Sequence, residues 1–156
     1  MKRFIILTVM LLMVFALAPT AAATPAPALS KAIILKVGPD VNYEWINVVN
    51  HAVPVERNAI YGDALYLYVR YTGYPNLGSE DFYQNGKLIA RNKVRVFKYV
   101  PLTNSNGLTT GCMTTYQIPF SALSGPRSGV LGQIVIEAHG INGGSASDYV
   151  VSLRRQ

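Results

Sequence analysis

The sequence predicts an all-β domain, and three observations lead to this prediction. Short runs of alternating apolar and polar residues recur along the chain, with the two-residue period of a half-buried strand. Glycine, proline and asparagine separate these runs, as is typical of turns. After residue 23, no segment keeps apolar residues at the helical period. We therefore expect a single-domain antiparallel β-sandwich of about seven or eight strands, with a small closed β-barrel as the alternative.

Three strands are predicted in the amino-terminal half. Residues 32–37 (AIILKV) form the first, which a Gly-Pro-Asp sequence ends, and residues 45–49 (WINVV) form the second. Residues 64–71 (ALYLYVRY) form the most regular strand, because tyrosine and arginine alternate there with aliphatic residues. Successive side chains of a strand point to opposite faces, so the aliphatic row should pack into the core and the other row should point away from it.

The remaining strands follow at regular spacing. Residues 81–89 (DFYQNGKLI) predict a tight hairpin, because Asn-Gly tolerates the two positive φ angles of a type I′ turn. Further strands are predicted at 94–100, 112–118, 133–139 and 148–153.

The chain resembles the immunoglobulin-like or fibronectin-like sandwiches in its strand count and strand spacing over most of its length. The most specific local feature of this resemblance is the turn at Gln84-Asn85-Gly86-Lys87. The chain also resembles the small exported bacterial domains of this kind that have no assigned activity. The resemblance implies an immunoglobulin-like fold, although the paired cysteines and central tryptophan of antibody domains are missing.

The amino terminus has the pattern of an export signal. Two basic residues are followed by an apolar run at 4–17 and by an Ala-Ala-Ala sequence that ends at Ala23. This run is shorter than the roughly 20 residues that cross a bilayer. We expect residues 1–23 to be a signal peptide cleaved after Ala23, residues 24–30 to be a Pro/Ala-rich leader, and residues 31–156 to form the domain. The product should be secreted or periplasmic, without a stable membrane anchor after cleavage.

The charge of the chain is mildly basic. The predicted signal holds two of the 14 Lys and Arg residues and none of the 8 Asp and Glu residues, which leaves a formal charge of +4. An exported protein of this charge meets anionic cell-wall and surface polymers, and we expect no nucleic-acid partner.

Three residues are weak candidates for catalysis. Cys112 is the single cysteine, and it would need a base such as His139 and an orienting carboxylate such as Asp148 to act as a nucleophile. The residues around Cys112 match no protease motif, so we expect the thiol to be buried and the protein not to be an enzyme. A small secreted hydrolase that depends on the thiol or on histidine is the alternative.

A metal site has little support in the sequence. Glu137 and His139 share one strand face and lie about 6.6 to 7 Å apart, close enough to ligate one ion. Two ligands do not complete a site, so the sequence predicts no metal and no other cofactor.

The strongest functional prediction is a binding face. Tyr66, Tyr68 and Arg70 share the outward row of the most regular strand, and Arg95 and Tyr99 share one row of strand 94–100. If these strands are neighbours, their rings and guanidinium groups suit flat or anionic ligands.

The predicted function is therefore an exported, non-enzymatic binding domain for a cell-wall or surface polysaccharide or for another protein. A secreted inhibitor or toxin-like effector is a further alternative, in which the loops at 74–78 and 142–145 would make the contacts.

Overall fold

A computed structural model describes residues 25–39, 45–54, 59–125 and 129–156 and confirms the all-β prediction. The predicted signal peptide lies outside these residues. The helical elements within them are two short 3-10 turns, at Arg91–Lys93 and Phe120–Ala122. No helix of the described residues has the length and apolar character needed to cross a bilayer.

The described residues form ten strands, more than the seven or eight predicted. In chain order they are β1 (Lys31–Gly38), β2 (Ile46–Asn47), β3 (Ala59–Ile60), β4 (Ala64–Thr72), β5 (Asp81–Gln84), β6 (Lys87–Ile89), β7 (Arg95–Thr103), β8 (Thr109–Pro119), β9 (Gly129–His139) and β10 (Ser145–Arg155). One of the strands that were not predicted is β3, which has only two residues and therefore shows no alternation in the sequence.

The strands form two sheets of five, as a β-sandwich requires. The first sheet has the order β2-β1-β4-β8-β7, and all its pairs are antiparallel. The second sheet has the order β3-β10-β9-β5-β6, in which β3 runs parallel to β10. Among the described residues the two sheets do not join into the closed barrel that was the alternative.

The core follows the predicted alternation. Leu65, Leu67 and Val69 of β4 are fully buried, and so are Ile134 and Ile136 of β9. Because one face of each strand must be hidden from water, the two-residue period of the sequence fixes which side chains face the other sheet. The inward row predicted for β4 is confirmed, and β9 follows the same two-residue period.

A chain of polar side chains crosses this core. The hydroxyl groups of Tyr71 and Tyr116 lie 2.9 Å apart, and the Tyr116 hydroxyl donates to Glu80 Oε1 at 2.6 Å. The other oxygen of Glu80 accepts from the backbone N–H of Gly78 at 2.7 Å. Each buried group in the chain is thereby satisfied, which avoids the cost of an unpaired polar group in the core.

The segment just before β1, predicted as a leader, is packed against the domain. The Leu29 side chain is buried, and its backbone N–H donates to the Gly143 carbonyl at 3.1 Å. The Tyr74 N–H donates to the Pro27 carbonyl at 3.1 Å. A Cβ atom at Gly144 would lie 2.0 Å from the Leu29 oxygen, so only glycine permits this approach. The packing against the two sheets therefore begins ahead of β1.

Candidate functional site

Strand order changes the predicted binding face. β8 lies between β4 and β7, so the two strands that were expected to be neighbours are not paired. Their outward rows still belong to one surface, because Tyr66 of β4 is opposite Gln117 of β8, and Gln117 is opposite Arg95 of β7. The outer face of the first sheet is therefore wider than the predicted binding face by one strand.

A bulge in β7 corrects the position of Tyr99. Val96 and Lys98 pair with consecutive residues of β8, so Phe97 is an extra residue and the alternation shifts after it. Tyr99 is consequently opposite Thr114, whose side chain is fully buried in the core. Tyr99 therefore belongs to the inner side of the sheet, where it is 41% exposed on this edge strand. It does not share a row with Arg95, and the prediction that grouped them is wrong.

We use the term aromatic-basic face for eight residues on the outer side of the first sheet. Its members are Lys36, Trp45, Tyr66, Tyr68, Arg70, Arg95, Phe97 and Lys98. One row crosses four strands, since Lys36 is opposite Tyr68, Tyr68 is opposite Thr115, and Thr115 is opposite Lys98. The row places aromatic and basic groups side by side without a contribution from the loops.

This row forms the floor of a cleft of about 250 Å³. Lys36, Trp45, Tyr68, Lys98 and Thr115 line it. The rings of Trp45 and Tyr68 lie 5.8 Å apart at an angle of 44°. Two ammonium groups and two aromatic rings around one cleft suit a ligand with a flat apolar surface and a negative charge.

A second cleft of about 480 Å³ lies beside the first. It is lined by Pro39, Tyr61, Gly62, Asp63, Ala64, Tyr66 and Gln117. Gln117 Nε2 donates to the Tyr66 hydroxyl at 2.7 Å, and the ring of Phe97 packs edge-on against that of Tyr66 at 5.7 Å. Tyr66 is only 8% exposed, so its ring contributes little open surface to this cleft.

Residues 22–153 match a family model that is described as a domain of unknown function, DUF4879. The chain belongs to the DUF4879 family. No curated protein shows significant similarity to the chain.

The three weak catalytic candidates of the DUF4879 domain do not come together. Cys112 is buried on the core side of β8, where its Sγ lies 3.7 Å from Thr114 Oγ1. Burial raises the pKa of the Cys112 thiol, which disfavours the nucleophilic thiolate. His139 is exposed on the outer face of the second sheet, whereas Asp148 is buried and lies on the inner face opposite Ile136. These positions give no support to the thiol hydrolase alternative.

The weak metal pair has no third ligand in the part of the chain that the structure describes. Glu137 and His139 are both exposed on the outer face of the second sheet. Asp81 is opposite Glu137, but Arg91 engages it with two hydrogen bonds of 2.7 and 2.9 Å. The hydrogen bond from Arg91 lowers the pKa of the Asp81 carboxyl. No group of three or more His, Cys, Asp or Glu side chains in the described residues could hold a metal ion.

A histidine–carboxylate pair went unpredicted in this DUF4879 domain. His51 Nδ1 lies 2.8 Å from Asp148 Oδ1, and the other oxygen of Asp148 accepts from the Ile34 N–H at 2.6 Å. The His51 ring stacks on Tyr149 at 4.3 Å. Asn50 and His51 have φ angles of 50° and 62° and form a two-residue turn. Asparagine and histidine both tolerate positive φ, so these two residue types indicate the turn. They do not indicate that Asp148 of β10 is the partner of His51.

The two loops proposed for recognition lie at the same end of the sandwich, and the loop at 74–78 pairs with residues 139–141, just ahead of the second loop. The N–H of Ile141 donates to the Tyr74 carbonyl at 3.0 Å, and the N–H of Asn76 donates to the His139 carbonyl at 2.8 Å. The Asn142 side chain donates to the Ala26 carbonyl at 2.8 Å. These loops hold the segment before β1 in place.

Proposed function

We propose that the chain is an exported, non-enzymatic binding domain whose aromatic-basic face holds a cell-surface or cell-wall polymer. The observation that carries the proposal is the row Lys36–Tyr68–Thr115–Lys98 with Trp45 beside it. The predicted signal peptide supports export. The resemblance to exported immunoglobulin-like domains supports a binding role, since such sandwiches present a wide sheet face to their surroundings.

The row is wide enough for one unit of a polymer together with its charged group. Neighbouring strands lie about 4.8 Å apart, so the backbones that carry Lys36 and Lys98 are separated by about 14 Å. Tyr68 stands between them, with the ring of Trp45 close to its own. One sugar ring of the polymer can stack on the aromatic surfaces while its charged group reaches an ammonium group.

Binding to insoluble cell-wall polymer, measured by co-sedimentation, tests the proposal. Tyr68→Ala and Trp45→Ala should each weaken binding by about two- to tenfold, because an aromatic contact contributes about 0.5–1.5 kcal/mol. Higher salt should weaken binding further, because it screens the contribution of the two lysines.

Tyr83→Ala is the matched control. Tyr83 is half-buried like Tyr68 but lies on β5 of the other sheet, so its removal should leave binding unchanged. Unfolding in urea verifies that all variants are folded. If the Tyr68→Ala and Trp45→Ala variants bind as the wild-type protein does, the aromatic-basic face is structural and the proposal is refuted.

A further inference from the structure

The two clefts follow each other along the strand direction. Tyr66 lines one cleft and Tyr68 the other, and the same holds for Gln117 and Thr115 on the neighbouring strand. Residues two apart on a strand lie about 6.6 to 6.8 Å from each other. A polymer that runs along β4 and β8 therefore places one unit over each cleft.

The chemistry of the two clefts differs. The smaller cleft has Lys36 and Lys98 among its lining residues, and ammonium groups favour an anionic unit. The larger cleft contains Asp63 and Gln117 beside the ring of Tyr61, which is 59% exposed. An ionised carboxylate accepts hydrogen bonds only, so Asp63 suits a unit rich in hydroxyl groups and repels an anionic one.

The environment of Asp63 leaves its carboxylate available. It is exposed, and the structure gives its side chain no hydrogen bond or ion pair with any residue in the described parts of the chain. Arg95 lies one strand beyond Gln117 in the same row and is not among the residues that line the larger cleft. Among the described residues that line it, none is basic.

We infer that the two clefts are successive subsites for a polysaccharide that alternates acidic and neutral sugar units. The acidic unit lies over the Lys36–Trp45–Tyr68–Lys98 cleft, and the neutral unit lies over the Tyr61–Asp63–Gln117 cleft. This inference rests on the proposed function, because it names the ligand class of the same face. Asp63 is then a specificity residue, since its charge disfavours polymers in which every unit is acidic.

Three soluble polysaccharides test the inference by affinity electrophoresis. Hyaluronate alternates acidic and neutral units, polygalacturonate is acidic at every unit, and dextran is neutral. The wild-type protein should bind hyaluronate best and dextran least. Lys98→Ala should weaken binding of both acidic polymers. Asp63→Asn should raise the affinity for polygalacturonate by about two- to fivefold, the size of one exposed charge interaction, and should leave hyaluronate binding nearly unchanged.

Glu137→Gln is the matched control for Asp63→Asn. It removes the same charge from an exposed residue on the outer face of the second sheet, so it corrects for the change in net charge. A rise in polygalacturonate binding that is larger for Asp63→Asn than for Glu137→Gln supports the inference.

Two results would overturn it. Equal binding of hyaluronate and polygalacturonate by the wild-type protein, with no selective effect of Asp63→Asn, removes the alternating-ligand inference and leaves the proposed function intact. No binding to any of the three polymers also removes the inference. The proposed function fails separately, when Tyr68→Ala and Trp45→Ala leave polymer binding unchanged.

Discussion

Replacement of Leu29 by alanine should destabilise the domain strongly, although Leu29 precedes the first strand. The side chain is 2% exposed and belongs to the hydrophobic core. A buried leucine truncated to alanine costs about 2–5 kcal/mol, and the cost rises when the cavity cannot collapse. The backbones of Gly140 and Gly144 already pack against Leu29, so the loops have little freedom to close the space. We therefore expect a loss of about 3 kcal/mol in the free energy of unfolding.

Urea unfolding followed by circular dichroism measures this loss. For a domain of this size the urea dependence is about 2 kcal/mol per molar, so the midpoint should fall by about 1.5 M. Leu88→Ala is the control, because Leu88 is 51% exposed on β6 and should change the free energy of unfolding by less than about 1 kcal/mol. A midpoint shift below about 0.5 M for Leu29→Ala would refute the reasoning that the segment before β1 is part of the packed fold.

Two further predictions concern buried titratable groups. Burial raises the pKa of both Tyr71 and Tyr116 well above the ordinary value, so above about pH 10 the unfolded chain releases protons that the folded chain keeps. The free energy of unfolding should then fall by about 1.4 kcal/mol per pH unit for each tyrosine. Urea unfolding at several pH values measures this slope, and Tyr116→Phe should remove the contribution of one tyrosine from it. If the Tyr116→Phe variant shows the same slope as the wild-type protein, the prediction is contradicted. Cys112 is buried, and burial raises the pKa of its thiol. The folded protein should therefore react with maleimide only as fast as it unfolds. Mass spectrometry with and without urea measures this labelling. Rapid labelling of the folded protein contradicts its burial.

The sequence predicted those parts of the fold that depend on local patterns. The row Leu65, Leu67 and Val69 was placed correctly because the two-residue period is visible within one strand. The turn at Asn85 and Gly86 was also correct, with φ angles of 51° and 78° as a type I′ turn requires. In both cases the residues that determine the structure are adjacent in the chain.

The candidate site was predicted only in part, because it depends on long-range pairing. Tyr68 and Arg95 were placed on the outer face correctly. The position of Trp45 beside Tyr68 was missed, because it follows from the pairing of β1 with β4, which no local pattern reveals. Tyr99 was misplaced because the bulge at Phe97 carries no glycine to mark it. A single extra residue reverses every later side chain of a strand, so this error followed from one unseen feature.

The arrangement of rigid elements favours the sheet face over the loops as the binding surface. Tyr68 and Thr115 belong to β4 and β8, whose inner rows are anchored by the Tyr71–Tyr116 contact in the core. The loop at 74–78 instead uses backbone groups to bind residues 139–141 and the segment before β1, and the loop at 142–145 binds the same segment. Those groups are not available to a partner unless the end of the sandwich opens, which would also release the buried Leu29. A ligand in the smaller cleft requires no such opening, because Lys36, Tyr68, Lys98 and Thr115 belong to strands that are already in place.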